Sequence, residues 1–344
     1  MARYSLLVSI ATGLLLVPLS AQRPTPAYRL VTRIAVPGDG GWDYVSLDAG
    51  ARRLYVTHGT KVDVVDVDAQ AVVGTIANTP RPHGFAIAPE LHRGFSSNGA
   101  AATLSIVDLT TLKTLMTVPS DTEPNGILYE PGRQEVYCFN RSEPPTTTVY
   151  DAKSGRRVAR IVMPGRVEAG AADPAAHRVY DNIESKNAIV GIDTATHSIV
   201  STWPIAPGEA ASGMVIDPVH HRLFIGTDNK LLIMLDSATG RVLSTVPIDA
   251  GVDTVAFDPG TQLVFSSNGA GTVTVAHEES ASTLRVVQVL PTEVGARTMA
   301  VDPATHRIYL ASATLGGPLP RPGDTPAHDA ATRPGTFKVL VYGQ

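Results

Sequence analysis

Seven polar residues recur at one repeated position of this chain: Asp43, His83, Asn125, Glu168, Ser212, Asp253 and Arg297. Each opens a short, largely apolar run and stands five residues ahead of a recurring octet. Three carboxylates, an imidazole and a guanidinium brought together could orient a polar ligand, hold a cation or activate a water. Carboxylate oxygens suit Ca²⁺ or Mg²⁺, whereas His58 and His83 with Asp43 would suit zinc or another transition metal. No short-spaced motif supports either chemistry. Cys-x-x-Cys-His, His-Glu-x-x-His, a Walker loop and Gly-x-Ser-x-Gly are all absent. These residues can act together only if the fold converges them.

The octets imply that fold. The clearest are Asp173–Tyr180, Asp217–Phe224 and Asp302–Tyr309, each reading Asp-Pro-x-x-His-Arg followed by an apolar residue and an aromatic. Weaker copies start at Asp48, Ala88, Glu130 and Asp258, and all seven place an aromatic seven residues after the start: Tyr55, Phe95, Tyr137, Tyr180, Phe224, Phe265 and Tyr309. The starts are 40 to 44 residues apart. That period marks an all-β, seven-bladed β-propeller with four strands per blade.

One repeat reads strand by strand. Gly213–Ile216 is an apolar inner strand, and Asp217–His221 is a turn in which Pro218 withdraws a ladder donor. Arg222–Gly226 and Lys230–Leu235 form the next two strands. Asp236–Gly240 turns the chain into the outer strand Arg241–Ile248. Asp66, Asp108, Asp151 and Asp193 occupy the same second turn and are expected as turn formers, as is the variant His277-Glu278. The last repeat ends at Phe337–Tyr342 without an outer strand. The segment Tyr28–Pro37 resembles the outer strand Ile199–Pro204 and is expected to complete that blade and close the ring.

The repeats resemble the YVTN-repeat family of β-propellers, and the chain is similar to its YncE-like exported members. Leu54-Tyr55-Val56-Thr57-His58 approaches the name-giving tetrapeptide, with His in place of its Asn, and Ser97-Asn98-Gly99 and Ser267-Asn268-Gly269 keep the Asn-Gly ending. The resemblance covers roughly residues 27–344. It implies the fold, and it implies single-stranded DNA binding as one activity known in the family. It brings no shared catalytic motif.

In a propeller the inner strands line the central channel, so the seven polar residues should ring one mouth of it. The loops from second to third strands lie on the same face and add His58, Asn98, Asn140, Asn182 and Asn268. Convergent polar groups at a concave mouth suggest a ligand site, although such residues also solvate a mouth and cap strand ends. The expected function is therefore non-enzymatic binding of a small ligand, a cell-envelope component or a protein partner. A metal-assisted lactonase or other hydrolase on the same mouth is the alternative, and nucleic-acid binding a further one. No cofactor is expected beyond a possible divalent cation.

Charge argues against nucleic acid. The net charge is −4, and the one dense basic cluster, Arg156, Arg157 and Arg160 with Arg166 nearby, falls on an outer strand rather than around the mouth. Residues 1–21 read as a secretory signal, with Arg3, an apolar Leu6–Leu19 stretch and a cleavage site after Ala21. Residues 22–344 then form one periplasmic or secreted domain, expected as a monomer with no stable membrane span. Cys138, the single cysteine, sits in an apolar run and reads as a buried inert thiol. The loop 312–335 carries five prolines where other repeats use a few residues. It is expected as a lid over the channel or a solvated excursion.

Overall fold

The computed structural model describes Met1, residues 27–317 and residues 331–344. Residues 2–26, which include all of the expected signal segment but Met1, and the 318–330 part of the Pro-rich loop lie outside these residues. The rest forms seven four-stranded antiparallel sheets, the blades of a β-propeller. The first blade, Trp42–Asp48, Arg53–His58, Lys61–Asp66 and Ala71–Ile76, shows the order that the others repeat. No helix among the described residues is long and apolar enough to cross a membrane.

The octet explains itself physically. Its aromatic is at most 2% exposed in every blade and packs against the inner strand of the next blade. Tyr55 stacks on Phe85 with ring centroids 4.6 Å apart, and Phe224 meets Phe257 at 5.2 Å. One large side chain per repeat thus glues neighbouring blades together, which removes about 1.5–3 kcal/mol of apolar surface from water at each seam. The residue just before each second strand, from Arg52 to His306, has φ between +51° and +59°. Seven non-glycine residues share that conformation because the octet turn must reverse the chain within a few residues.

The second turns are built by the expected aspartates. Asp66 Oδ1 accepts the backbone N–H groups of Asp68 and Ala69 at 3.0 and 2.7 Å, and Asp108, Asp151, Asp193 and Asp236 repeat the motif. The sixth blade departs from expectation. His277 and Glu278 lie inside a strand, Thr272–Ser280, and not in a turn. That strand and its partner Thr283–Pro291 have nine residues each, so the reversal is displaced beyond Ser280. His277 pairs with Arg285 and Glu278 with Leu284, in register with the ladder.

The ring closes as expected. Arg29–Ala35 runs antiparallel to Lys338–Gly343, from Arg29 opposite Gly343 to Ala35 opposite Lys338. The closing segment is tied down beyond its ladder. Tyr28 donates from its hydroxyl to the His306 carbonyl at 2.8 Å and sets its ring edge-on to Phe265 at 5.2 Å. Cys138 is fully buried in the third blade, and burial pushes its thiol up to about 12, so it stays protonated and inert.

Candidate functional site at the channel mouth

The inner strands deliver the seven polar residues to one end of the channel, but as a paired ring. Six are buried, from 3% exposed at Asn125 to 9% at Arg297; Ser212 is partly buried. Asp43 Oδ2 and His83 Nδ1, from adjacent blades, are 2.6 Å apart. Arg297 donates from Nε to Asp253 Oδ2 at 2.9 Å and from Nη2 to the Trp42 carbonyl at 3.2 Å. Glu168 accepts from Arg141, a loop residue that the repeat pattern does not reveal.

Backbone contacts fix the ring. In four blades the residue two places after the octet aromatic reaches forward to the next blade. Thr57 donates to the His83 carbonyl at 3.1 Å, Ser97 to that of Asn125 at 2.5 Å, Asn182 to that of Ser212 at 2.6 Å, and Ser267 to that of Arg297.

Tyr44 occupies the channel. At the position after each mouth residue the chain has Tyr44, Gly84, Gly126, Ala169, Gly213, Thr254 and Thr298. Six small residues leave room for one large one. A Cβ on Gly126 would collide with the Glu168 carbonyl, and one on Gly213 would stand 2.7 Å from the Val255 nitrogen. Tyr44 reaches from the first blade to the fourth, with its hydroxyl 3.5 Å from Glu168 Oε1. Burial, with Asp253 and Asp43 nearby, raises its phenol well above the usual range and keeps it a neutral donor. Beneath the ring lies a channel cavity of about 270 Å³, lined by Tyr44, Phe85, Ile127, Met214, Asp253 and Val255 among others.

Two further cavities open on the mouth, of about 420 and 430 Å³, and share Arg81 and His83. The first adds Glu123, Asn125, Arg141 and Arg166; the second adds Trp42, Asp43 and the Pro-rich loop's stem at Ala331 and Thr332. That stem is held by a bridge between Leu315 and Thr332 and by Gly335 N–H donating to Asp39 Oδ1 at 2.8 Å.

Charge is divided across the mouth. Arg81, Arg141 and Arg166 crowd the second to fourth blades. Burial and the neighbouring Arg166 charge lower the pKa of Arg141. On the other side, burial and the charges of Glu184 and Asp253 raise the carboxyl of Asp228. Arg166 and Glu184, 2.9 Å apart, stand at the boundary. No three histidine or carboxylate ligand atoms of the mouth, among the described residues, stand close enough to share an ion.

The second-strand residues have a different place. His58, Asn98, Asn140, Asn182 and Asn268 are fully buried. Asn98 donates to Thr103 Oγ1 and Ser105 Oγ at 3.1 and 2.9 Å and accepts from Ser96; Asn268 repeats this with Thr272, Thr274 and Ser266. Asn140 bonds the Cys138 carbonyl and Thr148. His58 Nδ1 lies 3.1 Å from Asp63 Oδ2, and its ring packs on Phe337. These side chains lock second strands to third strands within a blade, and Asn182 latches its blade to the next. The basic cluster is likewise occupied: Arg157 and Arg160 both reach Asp121, at 3.2 and 2.6 Å.

No family model and no curated protein matches this chain. Solved structures do. A chain of Kuenenia stuttgartiensis hydrazine synthase superimposes with a TM-score of 0.70 at 17% identity, covering 80% of this chain and 94% of that one. A chain from the crystal structure of a mitotic checkpoint complex gives a TM-score of 0.75 at 13% identity, covering 98% of this chain and 99% of that one. At such identities the likeness speaks for architecture alone: this chain is a seven-bladed β-propeller.

Proposed function

We propose that this protein is an exported YVTN-repeat propeller that binds a small anionic molecule, without turning it over, at the arginine-lined side of its channel mouth. Arg141 carries the reading. Its guanidinium is mostly withdrawn from water beside Arg166, and its Nε has no hydrogen-bond partner. Glu168 pairs with Arg141 through Nη2 and Glu184 with Arg166, which leaves Nε of Arg141 as the buried charged donor that a ligand carboxylate or phosphate would satisfy. Arg81, with no side-chain partner among the described residues, and Asn125 supply further donors around the same cavity of about 420 Å³, a size suited to a small metabolite.

Calorimetric titration with inorganic phosphate, succinate and citrate tests this. At least one should bind saturably, and Arg141→Gln should weaken it by about 10-fold or more, the worth of one charged hydrogen bond. Gln keeps a donor for Glu168, so the melting temperature should barely move. Equal affinity in Arg141→Gln and wild type, or no saturable binding to any of the three, would overturn the proposal.

The Asp43–His83 pair favours a second reading. A buried carboxylate 2.6 Å from His83 Nδ1 orients the ring, and His83 lines both mouth cavities. That geometry suits water activation in ester or lactone hydrolysis. Turnover of an aryl ester or lactone by wild type, lost in His83→Gln, would support it. An inactive wild type would leave the binding role alone.

A further inference from the structure

Away from the mouth, two departures from the repeat pattern meet at an octet aspartate. The first octet turn of the fifth blade places His220 three residues after Asp217, where the other six repeats have Ala51, Leu91, Arg133, Ala176, Thr261 and Thr305. The turn folds that imidazole back on its own aspartate. Asp217 Oδ1 accepts the Val219 N–H at 3.0 Å, and Oδ2 stands 2.6 Å from His220 Nδ1. The second departure is Glu278 of the sixth blade. In five other blades an aspartate ends the third strand and accepts the N–H groups of its turn, and His277 takes that register position in the sixth blade, with Glu278 the residue after it. In the sixth blade the strand runs on to Ser280, so the Glu278 carboxylate has no turn to serve.

Glu278 is nevertheless 8% exposed, and its Oε2 has no hydrogen-bond partner. The nearest cation is Arg222, whose Nε is 3.9 Å from Oε1, too far for a hydrogen bond. Ligand atoms of Asp217, His220 and Glu278 all lie within 4.8 Å of one another. We propose that these three residues form a divalent-metal site of the zinc class that bridges the fifth and sixth blades on the face opposite the channel mouth. Two carboxylate oxygens and one imidazole nitrogen are a borderline-soft donor set, poorer in oxygen than Ca²⁺ requires. Small side-chain shifts would bring the three atoms to the 2.0–2.2 Å that Zn²⁺ takes, about the distances usual for such ligands. Nδ1 would give up any proton it holds to solvent, and Nε2 would keep its own. His220 is exposed, so a fourth position stays open to water.

The test is a titration of Zn²⁺ into chelator-treated protein, read by native mass spectrometry and by melting temperature. One equivalent should bind tightly and raise the melting temperature by several degrees, as expected for an ion that binds the folded state alone. His220→Ala and Glu278→Gln should each remove that equivalent and the shift. His221→Ala, one residue away on the same turn, should keep both. Ca²⁺ should give no shift at the same concentration. Zinc binding that persists in both His220→Ala and Glu278→Gln, or is lost equally in His221→Ala, would overturn the proposal. So would a wild type that retains no zinc. None of these outcomes depends on the mouth, so the anion site stands or falls separately.

Discussion

A chain that begins at Gly38 should lose the propeller. Residues 27–37 supply the outer strand of the seventh blade, and their removal bares the ladder edge of Lys338–Gly343. It also strips Tyr28, Ile34 and Val36, each no more than 3% exposed, from the seams of the last blade. At 1.5–3 kcal/mol per buried side chain, that is about 5 kcal/mol or more before any backbone bond is counted. A domain's whole stability is about 5–15 kcal/mol. Loss of soluble yield, or a melting temperature lower by about 10 °C or more, is the expected result. An unchanged melting transition would mean that the sixth-to-seventh blade contacts hold the ring without the closing strand. Removal of any comparable outer segment elsewhere should cost less, because no other strand joins the two ends of the chain.

The closing strand was legible because it obeys the repeat: it resembles an outer strand and sits where the count is one short. The seven mouth residues were legible for the same reason, as polar exceptions at a fixed offset. What a repeat register cannot convey is the direction a side chain takes. Asn98 and Asn268 look like loop donors, yet each turns inward to a hydroxyl pair on the facing strand, Thr103 with Ser105 and Thr272 with Thr274. The signal was present in those matched hydroxyls, read across a hairpin rather than along it. Arg141 and Arg166 lie in loops outside the register, where only three dimensions bring them to Glu168 and Glu184. His277-Glu278 reads as a turn because His277 holds the position of the turn aspartates, but without that aspartate the strand runs on to Ser280 and the reversal comes later.

The other large effect is expected at Asp181, which no functional reading uses. Its carboxyl is fully buried between the third and fourth blades. Thr147 offers one long hydrogen bond to Oδ2, 3.4 Å, and Oδ1 has no partner. Burial pushes this carboxyl well above its ordinary range, with little to oppose it. The folded protein therefore holds a proton that the unfolded chain releases above about pH 4. Folding takes up that proton, so stability contributed by this site is full at acid pH. It falls by about 1.4 kcal/mol for each pH unit from the unfolded value up to the raised folded one. The same position in other blades is Val56, Ser96, Cys138, Ile225, Ser266 and Leu310, which shows that the fold does not need a carboxyl there. Asp181→Val, close in shape and matching the first blade, should raise the melting temperature at neutral pH. It should also remove its share of the decline between pH 5 and pH 7, measured by urea unfolding at each pH. A valine there gains apolar contact and removes a buried oxygen that has no partner, and these two gains outweigh the one long hydrogen bond lost. If Asp181→Val instead destabilises the fold at neutral pH and leaves the pH slope untouched, the carboxyl is paired and ionised. The third and fourth blades must then hold a donor for it that the packing of Thr147 does not provide.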